Sequence, residues 1–125
     1  MGLKLNANCK DDILTIEGNG EIKNSYHHKD CLEEFCNMII SSGCGKILFD
    51  ITDTSFSTNM MEQLINFDMF RNKFPKNMRG LKLVLIISPK DHDRFNFWED
   101  YNNNRGYYWK IFTDYEKGRF FLETD

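Results

Sequence analysis

Side chains able to bind metal or do acid–base work gather in two short stretches of this 125-residue chain. The first is His27-His28-Lys29-Asp30-Cys31. On a helix His27 and Cys31 fall at i and i+4, a workable pair of zinc ligands, but a zinc centre needs one or two more. Cys36, the next thiol, lies five residues beyond Cys31, about 140° around a helix, and so faces elsewhere. Thiol catalysis would need a depressed pKa, a base within reach and an oxyanion site. No Gly-rich elbow accompanies Cys9, Cys31, Cys36 or Cys44. Cys9 and Cys36 fall on apolar faces, as core thiols do, and Cys44, between two glycines, is the most exposed candidate. The second stretch, Asp91-His92-Asp93, follows a strongly apolar strand. Its two carboxylates could orient the imidazole as a base, or one could simply cap a helix beside a solvated histidine.

Asp50 ends an apolar run, where a phospho-acceptor aspartate could sit, and Lys90 is suggestively placed. Such a receiver also needs an acidic pair after its first strand, whereas Asp11-Asp12 precede a strand. Gly18-Asn19-Gly20 and Gly43-Cys44-Gly45 are turns rather than phosphate cradles. The sequence thus predicts no catalytic residue, no metal ligand set and no cofactor. Two other groups carry the functional expectation. Ser55, Ser57, Thr58 and Asn59 form a hydroxyl-rich stretch after an apolar strand and before an amphipathic run. Phe97, Trp98 and Tyr101 share one predicted helix with Phe95; a helix cannot bury them all on one face, so they form a candidate interaction surface.

The elements that must position these groups are legible from periodicity. Leu3, Leu5, Ala7 and Cys9 alternate with Lys4, Asn6, Asn8 and Lys10, a half-buried strand. Asp11-Asp12 turns it into a second strand over Ile13–Ile16, making a hairpin. Gly18-Asn19-Gly20 breaks regularity, and Glu21-Ile22 is a short extended continuation. Leu32, Phe35, Cys36 and Ile39 give a first helix from Tyr26 or Asp30 to Ser42, stopped by Gly43. Ile47–Ile51 is a central strand covered on both faces. Asn59 and Glu62 open a second helix as a capping box, closed by Pro75. Leu81–Ser88 is a further buried strand, Asp91 to Gly106 holds a third helix, Tyr107–Thr113 a last strand, and Asp114 caps a short final helix. The order β-β-α-β-α-β-α-β-α predicts an α/β fold: a mostly parallel mixed sheet with an N-terminal β-hairpin and about four helices.

The bulk properties narrow the function further. The length fits one domain spanning 1–125. Sixteen Lys and Arg against nineteen Asp and Glu leave a net charge of −3 with no basic stripe, which argues against nucleic acid. No apolar run approaches the roughly 20 residues of a transmembrane helix, and the amino end carries no signal-peptide core. Four cysteines without a secretory signal point to reduced thiols and a cytoplasmic location. Homodimerisation is open.

Three segments resemble the STAS domain and its SpoIIAA-like relatives, named for sulphate transporters and anti-sigma-factor antagonists. Gly20-Glu21-Ile22, ahead of Leu32-Glu33-Glu34-Phe35, is similar to the family's approach to its first helix. Lys46-Ile47-Leu48-Phe49-Asp50-Ile51-Thr52 with Phe56 resembles its central strand and the turn after it. Trp109-Lys110-Ile111-Phe112-Thr113-Asp114-Tyr115 through Phe120-Phe121-Leu122 resembles its close. The resemblance implies a regulatory, non-enzymatic module that docks a protein partner through the turn holding Ser55, Ser57, Thr58 and Asn59 and the helix that follows. It also allows an alternative, a small apolar ligand or lipid, since SpoIIAA-like domains are similar in fold to lipid-transfer domains; an enzyme built on Asp91, His92 or a cysteine is a third class. One departure matters. Anti-sigma-factor antagonists carry Asp-Ser-Ser-Gly at the second helix, where one serine is phosphorylated; here Ser57-Thr58-Asn59-Met60 lacks the Asp and the Gly. Phosphate is favoured at a helix amino end, and Glu62 opposes it.

Overall fold

The computed structural model describes residues 3–23, 25–57, 80–96, 99, 103 and 108–124. Strands β1 (Leu3–Lys10) and β2 (Ile13–Ile22) form the predicted antiparallel hairpin. Its two-residue turn needs positive φ at both positions, and Asp11 (56°) and Asp12 (65°) supply it, as Asp and Asn do most readily after glycine. Helix α1 (Ser25–Ser42) crosses to β3 (Lys46–Phe56), which pairs parallel with β2. β4 (Lys82–Ile86) and β5 (Tyr108–Phe112) continue the parallel pairing, so the five strands lie in chain order.

After β4 come a 3-10 turn (Pro89–Asp91) and a one-turn helix, α2 (His92–Phe95). The chain closes on α3 (Tyr115–Glu123). Against about four helices expected, the described residues hold two longer than one turn, α1 and α3. The third expected helix is represented by α2 and by Glu99 and Asn103, and the second falls on residues outside those described. Asp114 caps α3 as expected, its Oδ1 accepting from the amides of Glu116 (2.9 Å) and Lys117 (3.4 Å).

Each face of the sheet has its own apolar cluster. Leu14, Ile16, Ile47, Phe49, Leu83, Leu85 and Trp109 project toward α1, where Phe35 stacks on Phe49 at 4.4 Å between centroids. Ile13, Leu48, Val84 and Ile86 project the other way and are capped by Leu122 of α3. Gly118 lets α3 approach: a Cβ there would strike Ile86 Cδ1 and come within 2.8 Å of Val84 Cγ1.

Two strands are longer than periodicity suggested. β2 does not stop at Ile16; it runs through the glycines, with Gly20 at φ 132°. β3 continues past Ile51 to Phe56. Between them the register shifts, so that Ile51 and Thr52 together face Gly18, a β-bulge. Asp50 fastens the bulge: its Oδ1 accepts from the Thr52 amide (3.0 Å) and the Thr52 hydroxyl (2.6 Å).

Candidate functional site

β2 and β3 end side by side at the carboxyl edge of the sheet, with Glu21 opposite Ser55 and Ile22 opposite Phe56. Crevices beyond this edge are where open α/β sheets place their sites. The Ser57 amide donates to the Ile22 carbonyl at 2.9 Å, and the Ser57 hydroxyl donates to Glu21 Oε2 at 3.0 Å. Ser55 and Ser57 are both exposed. The bulge decides what lies beneath them. Upstream, odd residues of β3 face α1; downstream the even ones do, so Thr54 and Phe56 turn inward. Phe56 meets Phe95 edge-on at 5.4 Å between centroids. Thr54 is 2% exposed, and its Oγ1 has no hydrogen-bond partner among the described residues, an uncommon state for a buried hydroxyl.

The site therefore differs from expectation in its backbone. Ser55 sits in a paired strand, not in a turn, and Ser57 immediately follows that strand. Thr58 and Asn59 lie outside the described residues, as do Phe97, Trp98 and Tyr101. Phe95, their neighbour in the aromatic group, is core.

The other constellations dissolve into separate places. Asp91, His92 and Asp93 do follow β4 at the carboxyl edge, but His92 and Asp93 are exposed. Asp91 stands at the amino end of α2 without a side-chain capping bond, and its buried Oδ2 has no partner among the described residues. The acidic pair for a receiver is not assembled around Asp50. Asp11 and Asp12 close the hairpin at the opposite end of β2, where Asp12 Oδ1 accepts from the Gly45 amide at 3.2 Å. The Asp50 carboxylate already serves Thr52.

The thiols depart most from expectation. Cys9 and Cys44 are joined as a disulfide, because the end of β1 and the α1–β3 turn meet at the amino edge of the sheet. Cys9 is exposed rather than core, and Cys44 is buried rather than exposed. Cys31 and Cys36 are buried and take no part in the disulfide. Burial, with smaller contributions from the charges of Glu34 and Cys36, pushes the Cys31 thiol up from 9.0 to about 12, the wrong direction for a nucleophile or an easily recruited ligand. Among the described residues no three His, Cys, Asp or Glu side chains come together as a metal site.

One arrangement escaped the sequence reading. The outer edge of β5 is satisfied by side chains: the Ile111 amide donates to Glu99 Oε2 (2.8 Å), and the Trp109 amide donates to Asn103 Oδ1 (3.1 Å). The Asn103 amide group also donates back to the Trp109 carbonyl at 3.4 Å. The i, i+4 spacing of Glu99 and Asn103 was a signal for one polar helical face, although nothing local says that it meets a strand edge.

No family model matches the sequence, and no curated protein matches it. Solved structures do. An anti-sigma factor antagonist from Mycobacterium paratuberculosis superposes with a TM-score of 0.66 at 7% identity, over 98% of this chain and 95% of that one. The anti-sigma factor antagonist SpoIIAA in its unphosphorylated form gives 0.57 at 9% identity, over 99% and 100%. An uncharacterized Shewanella loihica protein with a SpoIIAA-like fold gives 0.54 at 16% identity, over 97% and 93%. At these identities the likeness establishes the SpoIIAA-like fold that the resemblance implied. No helix among the described residues is long and apolar enough to cross a membrane.

Proposed function

We propose that the whole chain acts as one regulatory, non-enzymatic domain that docks a protein partner at the carboxyl edge around Ser55, Ser57, Thr58 and Asn59. The observation that carries this reading is the paired end of β2 and β3. There two exposed serines sit over a rigid base of ladder hydrogen bonds, with Phe56 and Phe95 packed beneath. The anti-sigma factor antagonists that share the fold support the class of function. The Ser57–Glu21 hydrogen bond gives the edge a chemical sensitivity. A phosphate on Ser57 would bring a charge of about −2 against the Glu21 carboxylate and open that contact by repulsion.

Site-specific photocrosslinking in the native cell tests the reading. A photoreactive residue at Ser55 or Ser57 should yield one discrete protein adduct, whereas the same group at Lys110 should yield none. Equal adducts from all three positions, or none from any, would count against docking here. In the Ser55 variant, which keeps Ser57, intact-mass analysis of the recovered chain reads the second part, since a phosphate on Ser57 should reduce the adduct several-fold.

A further inference from the structure

The two edges of the sheet are treated differently. Side chains of Glu99 and Asn103 cover the outer backbone of β5. No described residue bonds the outer backbone of β1. In a two-residue hairpin, Lys10 and Ile13 form the closing hydrogen-bonded pair, and alternation then turns residues 8, 6 and 4 toward β2. Leu5, Ala7 and Cys9 consequently direct their amides and carbonyls outward. An open row of this kind is a template for strand addition.

The side chains along the row say what kind of strand it accepts. On the α3 side β1 presents Lys4, Asn6, Asn8 and Lys10, all exposed and with no carboxylate of their own strand among them. The same side holds a cleft of about 310 Å³ bordered by Asn6, Asn8, Lys10, Thr15, Glu17 and Arg119. Arg119 is held there, donating from Nη1 to Thr15 Oγ1 at 3.3 Å and from Nε to Glu123 Oε2 at 3.1 Å. Glu17 and Glu123 offset part of the positive charge, and neither lysine has an ion pair among the described residues. The lysines also work against a second copy in the register centred on Ala7, where Lys4 of one chain would lie across from Lys10 of the other.

We propose that the outer edge of β1 binds an extended acidic segment of a partner protein as a sixth strand. Its alternate carboxylates would face Lys4, Lys10 and the Arg119 cleft. This surface is separate from the Ser55–Ser57 edge and stands without that reading.

The test uses a capped ten-residue peptide alternating glutamate with valine, titrated onto the full chain by fluorescence anisotropy at low salt. Two controls accompany it: the lysine–valine counterpart, and a peptide of equal charge with prolines in place of the valines. Saturable binding of the acidic peptide is expected, at least tenfold tighter than either control. The double variant Lys4→Glu/Lys10→Glu should weaken it at least tenfold while keeping the thermal melting point. Ala7→Pro removes only an outward amide and should do the same, as edge strands tolerate proline there.

Should Ala7→Pro not fold, amide hydrogen exchange on the unaltered protein decides: slowing at Leu5, Ala7 and Cys9 on peptide addition supports the sixth strand, and no slowing overturns it. Binding that ignores Ala7→Pro, or that the proline peptide reproduces, reduces the site to charge alone and overturns the proposal. A dimer in sedimentation that Ala7→Pro makes monomeric assigns the edge to a second copy and overturns it too.

Discussion

The Cys31 thiol lies within the α1 cluster, 7% exposed. Because burial pushes it up to about 12, the folded protein holds the proton through a range in which the unfolded chain, titrating near 9.0, releases it. The unfolded state then binds fewer protons than the native one, so stability must fall as pH rises. The contribution is whole below pH 9 and is lost between 9 and 12, at no more than about 1.4 kcal/mol per pH unit. Urea unfolding from pH 8 to 11 should show a shallower alkaline decline in Cys31→Ala than in the native sequence; parallel curves would show that the thiol ionises as freely inside as outside. At the same scale, Thr54 shows what a residue list cannot reveal. Its hydroxyl is no different in sequence from that of Thr52, yet one is buried without a partner among the described residues and the other is bonded to Asp50, because Thr52 lies in the bulge and Thr54 beyond it. Replacing Thr54 by Val, which keeps the shape and removes the unsatisfied group, should leave stability unchanged or raise it by about 1 kcal/mol in chemical denaturation.

At the scale of elements, α3 shows how one position fixes a packing distance. It packs on Val84 and Ile86 only because Gly118 carries no side chain. Gly118→Ala would ordinarily favour a helix by about 0.8–1.0 kcal/mol; here the overlap with Ile86 should outweigh that and give a net loss of about 1–3 kcal/mol, read as a lower midpoint in denaturant. Asp114→Ala should cost about 1 kcal/mol through the lost cap, and a Gly118→Ala protein more stable than its parent would mean that α3 stands off the sheet. The cap at Asp114 and the hairpin turn at Asp11-Asp12 were legible because both are local chemistry. The lengths of β2 and β3 were not, since period-two reading assumes constant parity. The bulge at Ile51-Thr52 reverses parity midway and turns a run that looks like a polar loop into paired strand. Nor could local sequence announce the Glu99 and Asn103 bonds to β5, because they join residues 12 and 6 apart through a strand edge. Double substitution Glu99→Ala/Asn103→Ala should expose that edge, and concentration-dependent association by light scattering is the expected result.

Across the whole molecule, the two ends of the sheet are secured by different means. The carboxyl end relies on ladder hydrogen bonds and on Ser57, just past β3, whose amide and hydroxyl bond Ile22 and Glu21 of β2. The amino end is fastened covalently. The Cys9–Cys44 bond spans 35 residues and ties the edge strand to the start of the central one, beside the Asp12–Gly45 hydrogen bond. Closing a loop of that length restricts the unfolded chain by about 3–4 kcal/mol in the chain-entropy account, a large share of the 5–15 kcal/mol that holds a typical domain together. The rest of the thiol chemistry protects this pairing. Cys31 and Cys36 are buried, and Cys31 stays protonated at neutral pH, so it cannot attack the disulfide while the fold persists. Dithiothreitol should therefore lower the denaturation midpoint of the native sequence and leave that of Cys9→Ser, already lowered by a similar amount, where it is. Reoxidation of the folded, reduced protein should restore one pairing, seen as a single disulfide-linked peptide after digestion at low pH. A mixture involving Cys31 or Cys36 would mean that the α1 cluster opens on the timescale of exchange, and that the hairpin is held by packing alone.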